Sequence, residues 1–157
     1  MRDELLYDCK NYAYIEGDVK KVQDEHERHQ VIDIGEEGNV DRVTRVLNLS
    51  FAQCVELCYP YSKETVDEET VGDDVLTEPV AYVMKLLVPD DFSKTTVELL
   101  KHLIHELMIY KVMADWMSIT NPESTAAWKE KAEAIEQEIR TNLNSRVGRV
   151  RRTQTPF

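Results

Sequence analysis

The sequence predicts a mainly α protein, a helical bundle with a C-terminal αα-hairpin and a small β-hairpin. Three observations support this fold class. Apolar residues recur at three- and four-residue steps over two long C-terminal stretches, a helix-start motif separates these stretches, and a branched and aromatic run ends at a proline. The 157 residues suit one domain of ordinary size. We expect a single mainly helical domain over residues 1–147, followed by a basic C-terminal arm over residues 148–157.

The N-terminal part of the chain predicts two helices with an irregular region between them. Apolar steps that begin at Leu5 predict a first helix that stops near Gly17. Residues 19–38 are rich in charge and include a Gly-Glu-Glu-Gly-Asn run, which favours loops because glycine and asparagine tolerate positive φ. Apolar steps resume at Val40 and end before Pro60, which predicts the second helix.

After the second helix, the sequence predicts a small antiparallel β-hairpin. Residues Val80–Val88 are rich in branched and aromatic side chains and are followed by Pro89, which ends a strand. The expected partner strand is Thr65–Val71. The stretch from Glu64 to Glu78 is acidic and has Gly72 near its middle, which favours a turn between two strands or a mobile loop.

The C-terminal half predicts two long helices that pack against each other. Ser93 is a predicted N-cap, and the helix that it opens runs to about Ser118 and is apolar almost all round, as expected of a central helix. Asn121 and Pro122 then form a cap and a first helical position, so the next helix follows at once in an αα-hairpin. Expected core or subunit packing residues are Leu103, Leu107, Trp116, Trp128, Ile135 and Ile139.

Two histidine pairs are the candidate metal ligands. His26 and His29 form one pair, and His102 and His105 form the other, with Glu106 beside it. Neither pair has the glutamate placement and four-residue spacing of the zinc-protease signature. The sequence also contains no phosphate-binding glycine loop and no nucleophile-elbow motif. We therefore expect no catalytic residue, no metal, no cofactor and no enzymatic activity. The alternative at this site is a metal-dependent enzyme that uses His102, His105 and Glu106.

The cysteines and the acidic clusters also predict structure rather than chemistry. Cys9, Cys54 and Cys58 are an odd number, which argues against a disulfide framework and favours a reducing compartment. Cys54 and Cys58 share a predicted helix face but lack the Cys-x-x-Cys spacing of redox and zinc sites, so we expect both in the core. The cluster Asp67–Glu69 lacks the ligand pattern of a calcium loop and predicts a solvated loop.

Charge is distributed unevenly along the chain. The 30 acidic and 19 basic residues give a net charge of −11, which excludes a protein that coats nucleic acid over its whole surface. Arg140–Phe157 contains five arginines and no acid, so this piece is +5 and the remaining 139 residues carry −16. No apolar run approaches the roughly 20 residues of a membrane-spanning helix, and the first residues lack the layout of a signal peptide.

The basic C-terminal arm is the candidate interaction device. Its arginines alternate with valines and are followed by Pro-Phe, which supplies apolar anchors that a purely solubilising tail does not need. The functional interpretation is an arm that docks on an acidic neighbouring surface or on a phosphate backbone, and the alternative is a disordered solubilising end. The arm residues singled out are Arg146, Arg149, Arg151, Arg152 and Phe157.

The block Leu100–Phe157 resembles a known class of virion protein. Its features are a central helix ending in Ala114-Asp115-Trp116, the capping motif Thr120–Glu123, an aromatic residue at Trp128, an Ala/Glu/Lys helix and a short Arg-rich end. These features are similar to those of small structural proteins encoded by tailed phages and prophages of Bacteroides-type bacteria. The helix over Asp41–Tyr59 and the strand that follows it are similar in order.

The resemblance implies a bacteriophage head–tail connector (adaptor) protein of the neck. Such a structural protein forms a ring oligomer beneath the portal and extends the DNA channel. The implied partners are further copies of the chain, the portal protein, other neck or tail proteins and the packaged DNA, with no membrane. The implied location is the virion, after synthesis in the host cytoplasm. The main alternative is a nucleic-acid-binding or regulatory adaptor of host or phage that grips phosphates with the Arg-rich arm.

Overall fold

The described part of the molecule consists of four α-helices arranged around a fifth. A computed structural model describes residues 1–19, 25–59, 61–62, 78–90 and 92–145. Within these residues 82% of the chain is helical, so the predicted mainly α class is confirmed. The helices are α1 (Arg2–Val19), α2 (Glu25–Ile32), α3 (Glu37–Leu57), α4 (Lys94–Thr120) and α5 (Pro122–Ser145), with a 3-10 turn at Asp33–Gly35.

Helix α4 is the central element, because α1, α2, α3 and α5 all pack against it. Its 27 residues span about 40 Å. The side chains of Leu107, Ile109 and Met113 are almost completely buried, although they point to different sides of the helix. The apolar circumference of α4 is thus covered largely by helices of the same chain. Among the helices described, none combines the length and the apolar character needed to cross a membrane.

Helices α4 and α5 form the predicted αα-hairpin. Asn121 is the only residue between them, and Pro122 is the first residue of α5. The Ser124 amide donates a hydrogen bond of 3.1 Å to the Asn121 carbonyl. The Asn121 side-chain amide donates a second hydrogen bond, of 3.2 Å, to the Ser124 hydroxyl, so both backbone and side-chain contacts stabilise the turn. Because the connection is so short, the two helices run antiparallel and share one long interface.

Ser93 occupies the predicted position before α4, but it does not cap the helix with its side chain. Its hydroxyl lies 2.7 Å from the Thr95 hydroxyl. Its carbonyl accepts the amide hydrogen bonds of Thr96 at 3.1 Å and Val97 at 3.3 Å. The predicted side-chain cap is therefore wrong, and the helix also continues to Thr120 instead of ending near Ser118.

Helix α1 passes through Gly17 and ends at Val19, two residues beyond the glycine near which the sequence predicts its end. A Cβ atom at Gly17 would lie 2.9 Å from Cγ1 of Ile32, which is closer than such atoms normally approach. The missing side chain lets α1 and α2 approach closely at this point. Glycine inside a helix costs about 1 kcal/mol relative to alanine, and close packing offsets that local cost.

Part of the region predicted to be irregular is helical. Helix α2 and the 3-10 turn fill residues 25–35, and α3 begins at Glu37 rather than at Val40. Val31 and Ile34 are buried, and the Trp116 indole N–H donates a 2.9 Å hydrogen bond to the Val31 carbonyl. An eight-residue helix is too short to persist alone, so these tertiary contacts stabilise it.

The predicted β-hairpin is not supported. Residues 78–90 form no strand, and the expected partner, Thr65–Val71, lies outside the described residues. Burial nevertheless alternates along this stretch, because every second side chain packs against the helical core and the residues between them are exposed. The inward residues are Tyr82, Met84, Leu86 and Val88. The period of two therefore marks a chain segment that lies on helices, not a ladder between strands.

Candidate functional site

A groove of about 1000 Å³ lies between α1, the N-terminal half of α4 and residues 78–90. We call it the α1–α4 groove. Its volume is at the upper end of the range typical of small-molecule sites, so it can hold a peptide segment. Its floor is apolar and consists of Leu5, Phe51, Met84, Leu86, Val97, Leu100, Ile104 and Met108. Its rim carries the titratable residues Asp3, Glu4, Asp8, Lys101, His102 and His105.

The helical repeat explains why α4 contributes a continuous strip to this floor. Val97, Leu100, Ile104 and Met108 follow three- and four-residue steps, so they lie on one face of the helix. Leu100 and Met108 are buried, whereas Val97 and Ile104 are half-buried. Half-buried and buried positions therefore alternate along the strip, so the accessible apolar groups are set between residues of the core.

Residues 78–90 form the second wall of the groove and are anchored to α3. The Tyr82 hydroxyl donates a 2.7 Å hydrogen bond to Oδ1 of Asn48, and the Tyr82 ring packs 5.2 Å from the Phe51 ring. Burial raises the pKa of Tyr82 to about 12, so the phenol keeps its proton and its donor role at an alkaline pH at which an ordinary tyrosine ionises. Farther along, the Leu87 amide donates to the Tyr61 carbonyl at 2.8 Å.

The mouth of the groove is flanked by apolar side chains that face solvent. Val83, on the second wall, is 79% exposed, and Tyr7, on α1, is 69% exposed. Val80 is 82% exposed and lies beside the start of α1, where its carbonyl accepts from the Arg2 amide at 3.2 Å. Apolar groups that stay in water next to an apolar groove are typical of a surface that binds a partner.

The structure does not bring His102, His105 and Glu106 together. His102 is exposed at the groove rim. His105 Nε2 lies 2.8 Å from Oδ2 of Asp8 on α1, and Oε2 of Glu106 accepts a 3.3 Å hydrogen bond from Tyr12. In the portion of the chain that is described, no three His, Cys, Asp or Glu side chains are grouped so that they could hold a metal ion.

The groove is suited to non-covalent recognition. The Asp8–His105 pair adds a hydrogen-bonded carboxylate and imidazole to its rim. What the lining offers a ligand is apolar surface below and charge of both signs around the edge.

Behind the groove, three aromatic rings hold α1, α4 and α5 together. The Tyr12 ring lies 6.1 Å from that of Tyr110 and 5.6 Å from that of Trp128, and the last two rings are 5.7 Å apart. Burial and the neighbouring Glu106 carboxylate raise the pKa of Tyr12 to about 12. The cluster therefore packs α1 and α4, two of the helices that line the groove, against α5.

All three cysteines are buried and free. Burial raises the pKa of Cys9 and of Cys54 to about 12 and that of Cys58 to about 11. Only the thiolate is a nucleophile, so these side chains act as small apolar core groups, as the sequence predicts.

Alkylation provides the check on this assignment. Because raised pKa values leave almost no thiolate at pH 8, we expect the native thiols to react with a maleimide at least about 100-fold more slowly than those of the chain in guanidinium chloride. Thiol counting by mass spectrometry measures both rates. Rapid labelling of any one thiol in the native protein contradicts its placement in the core.

The predicted packing residues lie within the described helices, whereas the predicted arm residues lie outside the described part of the chain. Leu103, Leu107, Trp116, Trp128 and Ile139 are buried, and Ile135 is half-buried. Arg146, Arg149, Arg151, Arg152 and Phe157 lie outside the described residues. Arg140 belongs to α5, where it pairs with Glu136 at 2.9 Å, so the segment after the helix keeps four arginines and no acid.

The groove itself could not be predicted from the sequence. Its lining comes from α1, α3, residues 78–90 and α4, which are far apart in the chain, and no local pattern indicates that they meet. The apolar side chains at every second position of residues 80–88 were the available indication of the groove, because such a segment needs an apolar surface to pack against.

Comparison with known proteins identifies no relative. No family model, no curated protein and no solved structure is significantly similar to the chain.

Proposed function

We propose that this protein is a structural subunit that assembles with further copies of itself into a ring of the head–tail connector class. The observation that carries the proposal is the α1–α4 groove, which has a volume of about 1000 Å³, an apolar floor and solvent-facing apolar residues at its mouth. An apolar surface of this kind is characteristic of proteins that bind a macromolecular partner. The groove has an apolar floor and a charged rim, which is the composition of a protein–protein interface.

The connector assignment rests on the resemblance of residues 100–157. The capping motif in that block joins α4 to α5, and Trp128 packs α5 against both α1 and α4. These contacts support a stiff helical hairpin, which suits a subunit that must hold its place in a ring. A head-to-tail ring needs two different patches on each subunit, and the groove and the basic arm supply such a pair.

The strongly acidic body supports a place around a DNA channel. Residues 1–145 contain all 30 acidic residues of the chain. A channel wall that repels phosphates lets DNA slide, whereas a basic wall holds it. The packaged DNA is thus a molecule that passes through the proposed ring, and the portal is the partner to which the ring attaches.

Assembly onto a portal tests the proposal. The full chain is mixed with the portal protein of the phage genome that encodes it, and particle mass is measured by mass photometry. We expect a portal complex that has gained one defined number of subunits. A chain that stays monomeric and leaves the portal mass unchanged contradicts the proposal.

Binding of free duplex DNA separates the connector from the nucleic-acid-binding alternative. The acidic body opposes the arm, so we expect a Kd weaker than about 10 μM at 150 mM salt by fluorescence anisotropy. The alternative requires tighter binding, and with four phosphate contacts the slope of log K against log salt should be about −3 to −4. Removing the arm and repeating the titration gives the matched control.

A further inference from the structure

We propose that the α1–α4 groove receives residues 148–157 from a neighbouring copy of the chain. This inference rests on the proposed ring and names the contact that closes it. The occupant is a segment of this protein that lies outside the described residues, and its sequence is Gly-Arg-Val-Arg-Arg-Thr-Gln-Thr-Pro-Phe. Three features of the structure favour this occupant over an unrelated peptide: apolar fit, charge and position.

The apolar groups of the arm match the floor of the groove. Val150 and Phe157 are the apolar side chains of residues 148–157, apart from Pro156. The floor consists of aliphatic and thioether side chains together with the ring of Phe51, and methionine adapts its shape to an aromatic ring. A phenylalanine side chain buries more apolar surface than a valine side chain, so Phe157 is the expected principal anchor.

The charges of the arm match the α1 side of the rim. Asp3 and Glu4 lie there and are exposed, and Asp8 lies one turn farther along beside His105. Glu4 pairs with the N-terminal ammonium at 2.5 Å, so Asp3 and Asp8 are the acids that leave this side of the rim negative. The opposite side of the rim, on α4, carries Lys101, so the charge across the groove is polarised. An arm with arginines and no acid is drawn toward α1 and away from α4, which defines one orientation of the bound segment.

The starting point of the arm also fits. Helix α5 ends at Ser145 and runs antiparallel to α4, so it ends beside the beginning of α4. Val97 and Leu100, which line the groove, lie in that part of α4. Twelve further residues reach at most about 40 Å, enough to cross to a groove on an adjacent subunit. If the arm bound the groove of its own chain, neither the arm nor the groove would be free to contact a neighbour, and the subunit would have no head-to-tail contact.

A designed disulfide identifies both the contact and the chain that supplies it. Val83→Cys places a thiol at the exposed groove mouth and Val150→Cys places one in the arm, while the native thiols stay buried. Under mild oxidation of the assembled protein, we expect a ladder of covalently linked subunits on a non-reducing gel. Ile119→Cys with Val150→Cys is the matched control, since Ile119 is exposed near the other end of α4 and should give no ladder.

A charge exchange tests the orientation of the arm. Asp3→Lys with Glu4→Lys should raise the subunit concentration needed for half-assembly at least about 10-fold, and reversal of Arg149, Arg151 and Arg152 to glutamate should do the same. Combining both sets should restore assembly to within about 3-fold. Asp41→Lys with Glu130→Lys, two exposed acids away from the groove, should leave assembly unchanged.

The results separate this inference from the proposed function. A wild-type chain that forms rings on the portal while the Val83–Val150 pair gives no ladder overturns the inference and leaves the connector function in place. A disulfide within one chain also overturns it, because the arm then occupies its own groove. A wild-type chain that forms no oligomer and binds no portal overturns both.

Discussion

Deletion of residues 147–157 is expected to abolish assembly onto the portal while leaving the helical body folded. The deletion removes Arg149, Arg151, Arg152 and Phe157, which together provide the charge and the apolar anchor of the proposed contact. Each subunit of a head-to-tail ring uses this contact once, so its loss acts at every interface together. Mass photometry of the portal mixture should show the unmodified portal mass and free monomer.

The same deletion should leave thermal unfolding almost unchanged. Leu143 is the last residue that the structure places in the core, and it precedes the deleted segment. Circular dichroism of the truncated chain therefore checks that failure to assemble is not failure to fold. Arg45→Gln with Lys129→Gln, which removes two exposed positive charges elsewhere, should assemble normally. Normal incorporation of the truncated protein would show that the arm has no role in assembly.

Replacing Trp128 with alanine is expected to give a large loss of stability, about 3–5 kcal/mol. The Trp128 side chain is only 3% exposed and packs against the rings of Tyr12 and Tyr110. Its removal takes away a large apolar surface and leaves a cavity where α1, α4 and α5 meet. Equilibrium unfolding in urea, followed by circular dichroism, measures the change in the free energy of unfolding.

Two further variants, one at Trp128 and one at Lys131 beside it, divide the effect into its parts. Trp128→Phe keeps most of the ring contact and should lose less than half as much stability as the alanine variant. Lys131→Ala removes the ammonium that lies 4.1 Å from the centre of the Trp128 ring, and at an exposed site this should change stability by less than about 1 kcal/mol. A loss below about 1 kcal/mol for Trp128→Ala would contradict the central role of the aromatic cluster.

The two predictions concern separate parts of the molecule. The arm should affect assembly without affecting folding, whereas Trp128 should affect folding first and assembly as a consequence. A variant of Trp128 that remains folded at low temperature should therefore still assemble there. This division follows from the position of Trp128 behind the groove, where it packs α5 against α1 and α4 without lining the surface.

Sequence patterns predicted the elements whose stability is mainly local or periodic. The over-apolar α4 and the Asn121-Pro122 junction were predicted from the helical repeat and from cap chemistry, and both are present. The same reasoning did not predict the close approach of Gly17 to Ile32, which depends on another helix. It failed at α2, whose eight residues receive the hydrogen bond from Trp116, 85 positions away.

The cysteine and histidine side chains also divide into those whose surroundings the sequence predicted and those whose surroundings it did not. Burial of Cys54 and Cys58 followed from their shared helix face. The partner of His105 did not, because Asp8 lies 97 positions earlier and on another helix. Adjacent residues on a helix point in different directions, so Glu106 reaches Tyr12 while its neighbour faces the groove.

By itself, the sequence determined that this is a mainly helical protein with a central apolar helix, a C-terminal helical hairpin and a basic segment after an acidic body. These properties depend on periodicity, capping and composition, which are local or additive. Only the tertiary structure decided that residues 78–90 lie on helices instead of pairing as a strand, and that they enclose a groove with α1 and α4. The reason is physical: an amphipathic segment requires an apolar surface, but its own sequence does not specify which surface it will find.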